Sequence, residues 1–284
     1  MSFAIELGLD TLSYSLSLLL VSLGLVIIFG LMNVINMAHG EFFLLGAYSV
    51  VAVQHAGMPY WAALIVAPIV LAIIGVVVEQ LIIRHVYHRF IDTILATWGL
   101  ALAIKQLIVI VFGPTSQSIV NPLPEPVQIL GVVYPSFRLF IMAVALAVSV
   151  ATFWVFYRTH IGLAIRGVIA NRSMAASLGL NTRRMDRWTF AFGAALAGFA
   201  GAVMAPIMSV DPQMGGGFLI PAFLSIMVGG MAHLLGVVLG VGLIGATGTV
   251  ISSIDTQVAS QVAVFLLAII IIRIWPEGLI GRRR

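Results

Sequence analysis

Four polar side chains, Asn33, Asn36, His39 and Glu41, stand close together between two strongly apolar runs, in the string Asn33-Val-Ile-Asn-Met-Ala-His-Gly-Glu-Phe-Phe-Leu-Leu-Gly-Ala-Tyr48. Ionisable groups are costly in lipid, so inside a bilayer they must face protein or a water-filled path. A helix broken here would offer free amide groups at the start of its second half, where the positive dipole end can meet a carboxylate or a carbonyl oxygen. The chemistry this suggests is contact with a polar solute. The plainer alternative is a cytoplasmic turn with Asn as a helix cap. His39 and Glu41, at i and i+2, are too few for a metal site or for acid–base catalysis.

Further candidates are spread along the chain. Thr93 and Thr97 share one helix face, where hydroxyls can bond a solute or simply permit close helix packing. Lys105 lies about 10 Å from the outer end of the same span at 1.5 Å per residue, and its stem is expected to snorkel outward. Gly229 and Gly230 interrupt an apolar stretch, near His233. A glycine pair at that depth is tolerated only where protein or a cavity satisfies the freed backbone. Glycines 193, 198 and 201, interleaved with alanines, mark a helix whose backbone can approach a neighbour closely. No Ser/His/Asp arrangement, catalytic carboxylate pair or phosphate-cradling loop appears, so neither an enzyme nor a metal site is expected.

The elements that must hold these groups follow from composition. With 61% hydrophobic and 8% charged residues, 284 residues cannot build a solvated shell, since soluble domains carry roughly 25% charged residues. The chain belongs in lipid. Runs at 12 to 31, 60 to 83, 92 to 112, 138 to 157, 188 to 210 and 257 to 275 are long enough to span. Interrupted runs lie near 38 to 56 and over 218 to 252. The expected fold is all-α, one transmembrane domain over 1–284 with about eight transmembrane helices, including broken or re-entrant segments. Basic segments at Arg84 to Arg89, Arg158 to Arg187 and Arg282-Arg-Arg should share the cytoplasmic side, which leaves the N-terminus outside and the C-terminus inside. The acidic start lacks the basic n-region of a removable signal peptide. The longest outer connection, Gly113 to Pro135, carries a small hairpin turning near Gly131, while Asp211 to Gly217 reads as a flexible outer turn. Arginines gathered in a few segments fit membrane orientation, and no nucleic-acid partner is expected.

The loop expected from Arg158 to Arg187 sets six arginines against one acid, Asp186. Its centre, Asn171-Arg-Ser-Met-Ala-Ala-Ser-Leu-Gly-Leu-Asn-Thr-Arg-Arg-Met, reads as a short helix capped at Gly179 and followed by a turn. A compact, basic cytoplasmic knob suggests docking to another protein.

Taken together, Asn33 to Tyr48, Ala175-Ala-Ser-Leu-Gly-Leu-Asn-Thr-Arg, the helix Phe190 to Gly201, Val228-Gly-Gly and the closing Pro276-Glu-Gly-Leu resemble membrane permeases of branched-chain amino acid and urea or short-chain amide ABC importers. The likeness runs nearly end to end. It departs after Gly230, where Met231-Ala-His-Leu-Leu-Gly236 replaces the turn common in relatives. The resemblance implies an inner-membrane transport subunit that works by alternating access, with a second homologous permease, two ATP-binding cassette subunits and a periplasmic or extracellular solute-binding protein as partners. Membrane lipid surrounds it. No cofactor would be bound by this chain, ATP and Mg residing on the partner subunits. Asn171, Met174, Ala175, Ala176, Leu178, Gly179, Asn181 and Arg183 would form the ATPase-coupling knob. Asn33, Asn36, His39, Glu41, Thr93, Thr97, Gly229 and Gly230 would border the path. A self-contained channel or ion-coupled carrier is the rival, and it would need coupling acids within its spans.

Overall fold

Apolar runs of this kind become helices because, in lipid, a helix satisfies its own backbone. The computed structural model describes residues 2–87, 89–129, 131–230 and 234–280. Among them the chain forms α1 (Ser2–Met32), α2 (His39–His55), α3 (Tyr60–Leu81), α4 (Phe90–Phe112), α5 (Ser136–Arg158), α6 (His160–Ala170), α7 (Arg172–Ser177), α8 (Thr182–Met204), α9 (Met214–Gly229), α10 (Leu234–Ile254) and α11 (Gln257–Ile274). Seven of these, α1, α3, α4, α5, α8, α10 and α11, are long and apolar enough to cross a membrane. The shorter α2 and α9, of 17 and 16 residues, complete the bundle. An all-α polytopic membrane protein is what the composition predicts. The hairpin is present as well: β1 (Pro126–Ile129) pairs antiparallel with β2 (Val132–Pro135) across Gly131 at φ 82°.

α1 and α8 form the centre, with 78% and 72% of their apolar windows buried, against 22% for α4, α5 and α11. α8 packs on α3, α2 and α1, while α1 also packs on α10, α5 and α9. The small residues of α8 make this possible. A Cβ at Gly24 of α1 would lie 2.6 Å from the Gly193 carbonyl oxygen, so the two backbones touch with nothing between them.

Several expectations are refined. α1 begins at Ser2, well before the span expected from residue 12. The basic segment is not a loop: Thr159 caps α6 by accepting from the Gly162 amide, and α7 follows directly. Asp211 to Gly217 is not a flexible turn, because Met214 to Gly217 is the first turn of α9, with Gly215 pressed against Gly40. The closing Trp275-Pro-Glu-Gly segment does more than end α11. Leu279 donates to the Val228 carbonyl at 2.9 Å, and Gly278, at φ 81°, abuts Gly230. The segment Met231-Ala-His233 and the final arginines lie outside the described residues.

Candidate functional site: a broken helix and a docking knob

α1 ends at an asparagine. Asn33 has φ 51° and donates its amide to the Phe29 carbonyl at 2.8 Å, a left-handed exit that Asn tolerates better than most residues. The chain then turns back along α1. His39 lies 3.0 Å from the Val21 carbonyl through Nε2, and Val21 precedes the end of α1 by eleven residues, about 16 Å at 1.5 Å per residue. α2 therefore starts alongside the middle of α1.

Most of the amides at this entrance are already bonded. Met37 donates to Thr97 Oγ1 at 3.1 Å, Ala38 to Asn36 Oδ1 at 3.0 Å, and His39 and Glu41 to the Asn36 and Ala38 carbonyls. Buried side chains remain open as well. Asn36 Nδ2, His39 Nδ1 and Glu41 Oε2 are buried and find no hydrogen-bond partner among the described residues. Because Nε2 of His39 faces a carbonyl, it carries the proton, and Nδ1 is an acceptor. His39 and Glu41 point to different sides of α2, the first toward Gly24 of α1 and the second toward Gly215 of α9. They do not form one cluster, and among the described residues no His, Cys, Asp or Glu group could hold a metal ion.

Thr93 and Thr97 are buried on one face of α4, as their spacing predicts. Thr93 donates to the Val86 and Arg89 carbonyls; Thr97 bonds the Thr93 and Ile35 carbonyls and accepts from Met37. Thr97 thus holds the extended arm in front of α2. Gly229 and Gly230 end α9 as expected, but they are covered: a Cβ at Gly229 would meet the Gly236 carbonyl oxygen at 2.0 Å. They form a helix break, not an open wall. Lys105 reaches toward the outer connection, to an exposed side chain. Its Nζ donates to Gln213 Oε1 at 2.6 Å.

The knob has the shape that its sequence dictates. Asn171 Oδ1 caps α7 by accepting from Met174, and Asn181 Oδ1 caps α8 by accepting from Arg184. At the C-terminus of α7, Leu180 donates to the Ala175 carbonyl and Gly179 to the Ala176 carbonyl, with Gly179 at φ 90°. This is the Schellman arrangement, which requires a left-handed residue at that point. Ala175 turns inward and is buried, whereas Met174 and Leu178 are 62% and 79% exposed. Ala176 and Arg183 are exposed beside them.

An ionic chain ties the knob to the bundle. Arg172 pairs with Asp186, Arg187 reaches Glu79 of α3 at 3.4 Å, and Tyr87 donates to Glu79 at 2.6 Å. Burial, then the bond to Glu79, pushes the Tyr87 phenol well above its ordinary pKa, so it stays a neutral donor. The Asp186 side chain is 0% exposed and that of Arg172 is 42% exposed, which predicts an asymmetry. Arg172→Ala strands a buried carboxylate and should cost about 3 kcal/mol or more, while Asp186→Ala frees an arginine that already reaches solvent and should cost about 1 kcal/mol. Thermal unfolding of the two variants in detergent checks this; equal midpoints would refute it.

Comparison with known proteins decides what this arrangement belongs to. The family model described as "Branched-chain amino acid transport system / permease component" matches residues 8–274. The chain belongs to this family. It is a permease subunit of the ABC-importer type, a multi-pass inner-membrane transport protein. It is 25% identical over 281 residues to the high-affinity branched-chain amino acid transport system permease protein LivH of Escherichia coli K12, covering 93% of this chain and 91% of that one. It is 26% identical to the probable LivH permease of Methanocaldococcus jannaschii over 94% of this chain and 90% of the relative. It is 24% identical to the E. coli permease LivM over 97% of this chain and 70% of the relative. No solved structure gives a significant match. For a permease, the ionic chain beneath the knob is the feature that sequence reasoning passed over. Its signal was present: Glu79 closes an apolar span of α3, and Asp186 stands alone among arginines.

Proposed function

We propose that this permease carries branched-chain amino acids across the inner membrane. It works with a second homologous permease, two ATP-binding cassette subunits that hold ATP and Mg, and a periplasmic or extracellular solute-binding protein. The observation that carries the solute class is the family match over residues 8–274, with relatives named for branched-chain amino acids aligned along nearly their whole length. The basic end, with Arg84, Arg172, Arg183 and Arg187, faces the cytoplasm, and the N-terminus lies outside.

In this reading the solute passes the interrupted element around Asn33, Asn36, His39 and Glu41, braced by Thr93 and Thr97, with the break at Gly229 and Gly230 as a hinge. Lining groups bind weakly because the permease must release what it passes. The knob, from Asn171, Met174, Ala175, Ala176, Leu178, Gly179 and Asn181 to Arg183, sits in the ATPase. ATP binding draws the ATPases together, and the ionic chain from Arg172 to Glu79 passes the motion to α8 and α3. Exposed apolar Met174 and Leu178 on a polar surface support a protein-covered site.

The test is uptake of radiolabelled leucine and urea into proteoliposomes that hold the assembled importer, with and without ATP. ATP-dependent leucine uptake is expected. Uptake of urea instead, or ATP-independent uptake by this chain alone, would overturn the reading.

A further inference from the structure

Glu41 is 7% exposed, yet its Oε2 has no partner among the described residues. It faces the start of α9, where the backbones of Gly40 and Gly215 touch: a Cβ on Gly40 would lie 2.5 Å from the Gly215 carbonyl oxygen. Two helix N-termini thus converge beside one carboxyl group, where their dipoles act against the cost of burying its charge. Across from it stands Lys105, the sole lysine of the chain, on the weakly packed α4. Its ammonium donates to Gln213, one residue before α9 and two before Gly215, which Glu41 faces. No ion pair joins Glu41 and Lys105 among the described residues. On the same face of α2, two turns farther on, the Tyr48 hydroxyl is also buried without a partner.

Resting on the proposed function above, we infer that Glu41 and Lys105, with Gln213, read the two charged ends of a free amino acid. A buried carboxylate without a partner is costly, and a lysine on a neighbouring helix that is free to do so would close on it. A zwitterion satisfies both at once. Its ammonium takes the free Glu41 oxygen, and its carboxylate takes Lys105 Nζ and the Gln213 amide. A neutral solute such as urea supplies neither charge. Tyr48 offers a further contact on the way out of this post, and the apolar side chain of the solute is left to the partner permease or to α4.

The test uses the full importer in proteoliposomes with saturating leucine-loaded binding protein, so that delivery is not limiting. Lys105→Met keeps the stem and removes the charge; Lys105→Arg keeps the charge. Leucine turnover is expected to fall at least tenfold in Lys105→Met and in Glu41→Gln, and to stay within threefold of wild type in Lys105→Arg, with all variants assembling as intact complexes. If Lys105→Met transports leucine as wild type does, or if Lys105→Arg fails as badly as Lys105→Met, the ammonium is not what is read and the inference falls. A wild-type importer that moves urea and not leucine overturns both this inference and the proposed function.

Discussion

Leu178→Asp is expected to abolish ATP-driven uptake, by a factor on the order of a hundred or more, without disturbing the fold. Leu178 is 79% exposed at the end of α7, held in place by backbone bonds from Gly179 and Leu180 and not by its own side chain. In isolation the substitution therefore removes an apolar patch and little else. In a complex it drives a carboxylate into an apolar contact, where an unpaired charge costs several kcal/mol; each 1.4 kcal/mol is tenfold in affinity. Co-purification of the ATPases with the permease pair and uptake in proteoliposomes report the two halves of this prediction. A variant that still binds the ATPases and transports would remove the knob from the coupling pathway. Unchanged uptake with no ATPase present would point to a self-contained channel.

Gly46→Val should prevent the bundle from closing. A Cβ at Gly46 would sit 1.9 Å from the Gly198 carbonyl oxygen and 2.6 Å from the Gly198 Cα, so the obstacle is backbone and cannot rotate away. α2 and α8 would have to part by more than an ångström. Overpacking usually costs about 1–3 kcal/mol; here two rigid helices meet, and the loss should reach the top of that range or exceed it. Gly242→Ala is the control. Nothing lies within 4 Å of its Cβ, and alanine favours a helix over glycine by about 1 kcal/mol. Thermal unfolding in detergent should show a large drop for the first variant and none for the second. A Gly46→Val protein that melts with wild type would mean that α2 and α8 are not in backbone contact.

Composition and spacing alone determine the class of this protein. Sixty-one per cent hydrophobic residues leave no option but lipid, and in lipid the backbone must form helices. The polar string from Asn33 to Glu41 announces an interrupted span, the Gly179 signal announces the end of α7, and the alanine–glycine run announces a close-packed α8. Each is a local property, read along one stretch of chain, and each is present in the fold. The tertiary structure decided what no single stretch contains. The two-residue spacing already sends His39 and Glu41 to opposite sides of α2; only the packing of α2 against α1 and α9 decides that one is tethered and the other stays free. Only the fold brings Gln213, 108 residues further along the chain, to the outward-reaching Lys105. Asp211 to Gly217 reads as a flexible turn because three glycines disfavour a helix; contact with Gly40 makes it the start of one, since only glycine lets two backbones meet. Side-chain pairings such as Arg172 with Asp186 and Arg187 with Glu79 join residues far apart in the chain. Sequence periodicity carries the direction of a side chain around its own helix, and the identity of what it meets there is set by the other helices.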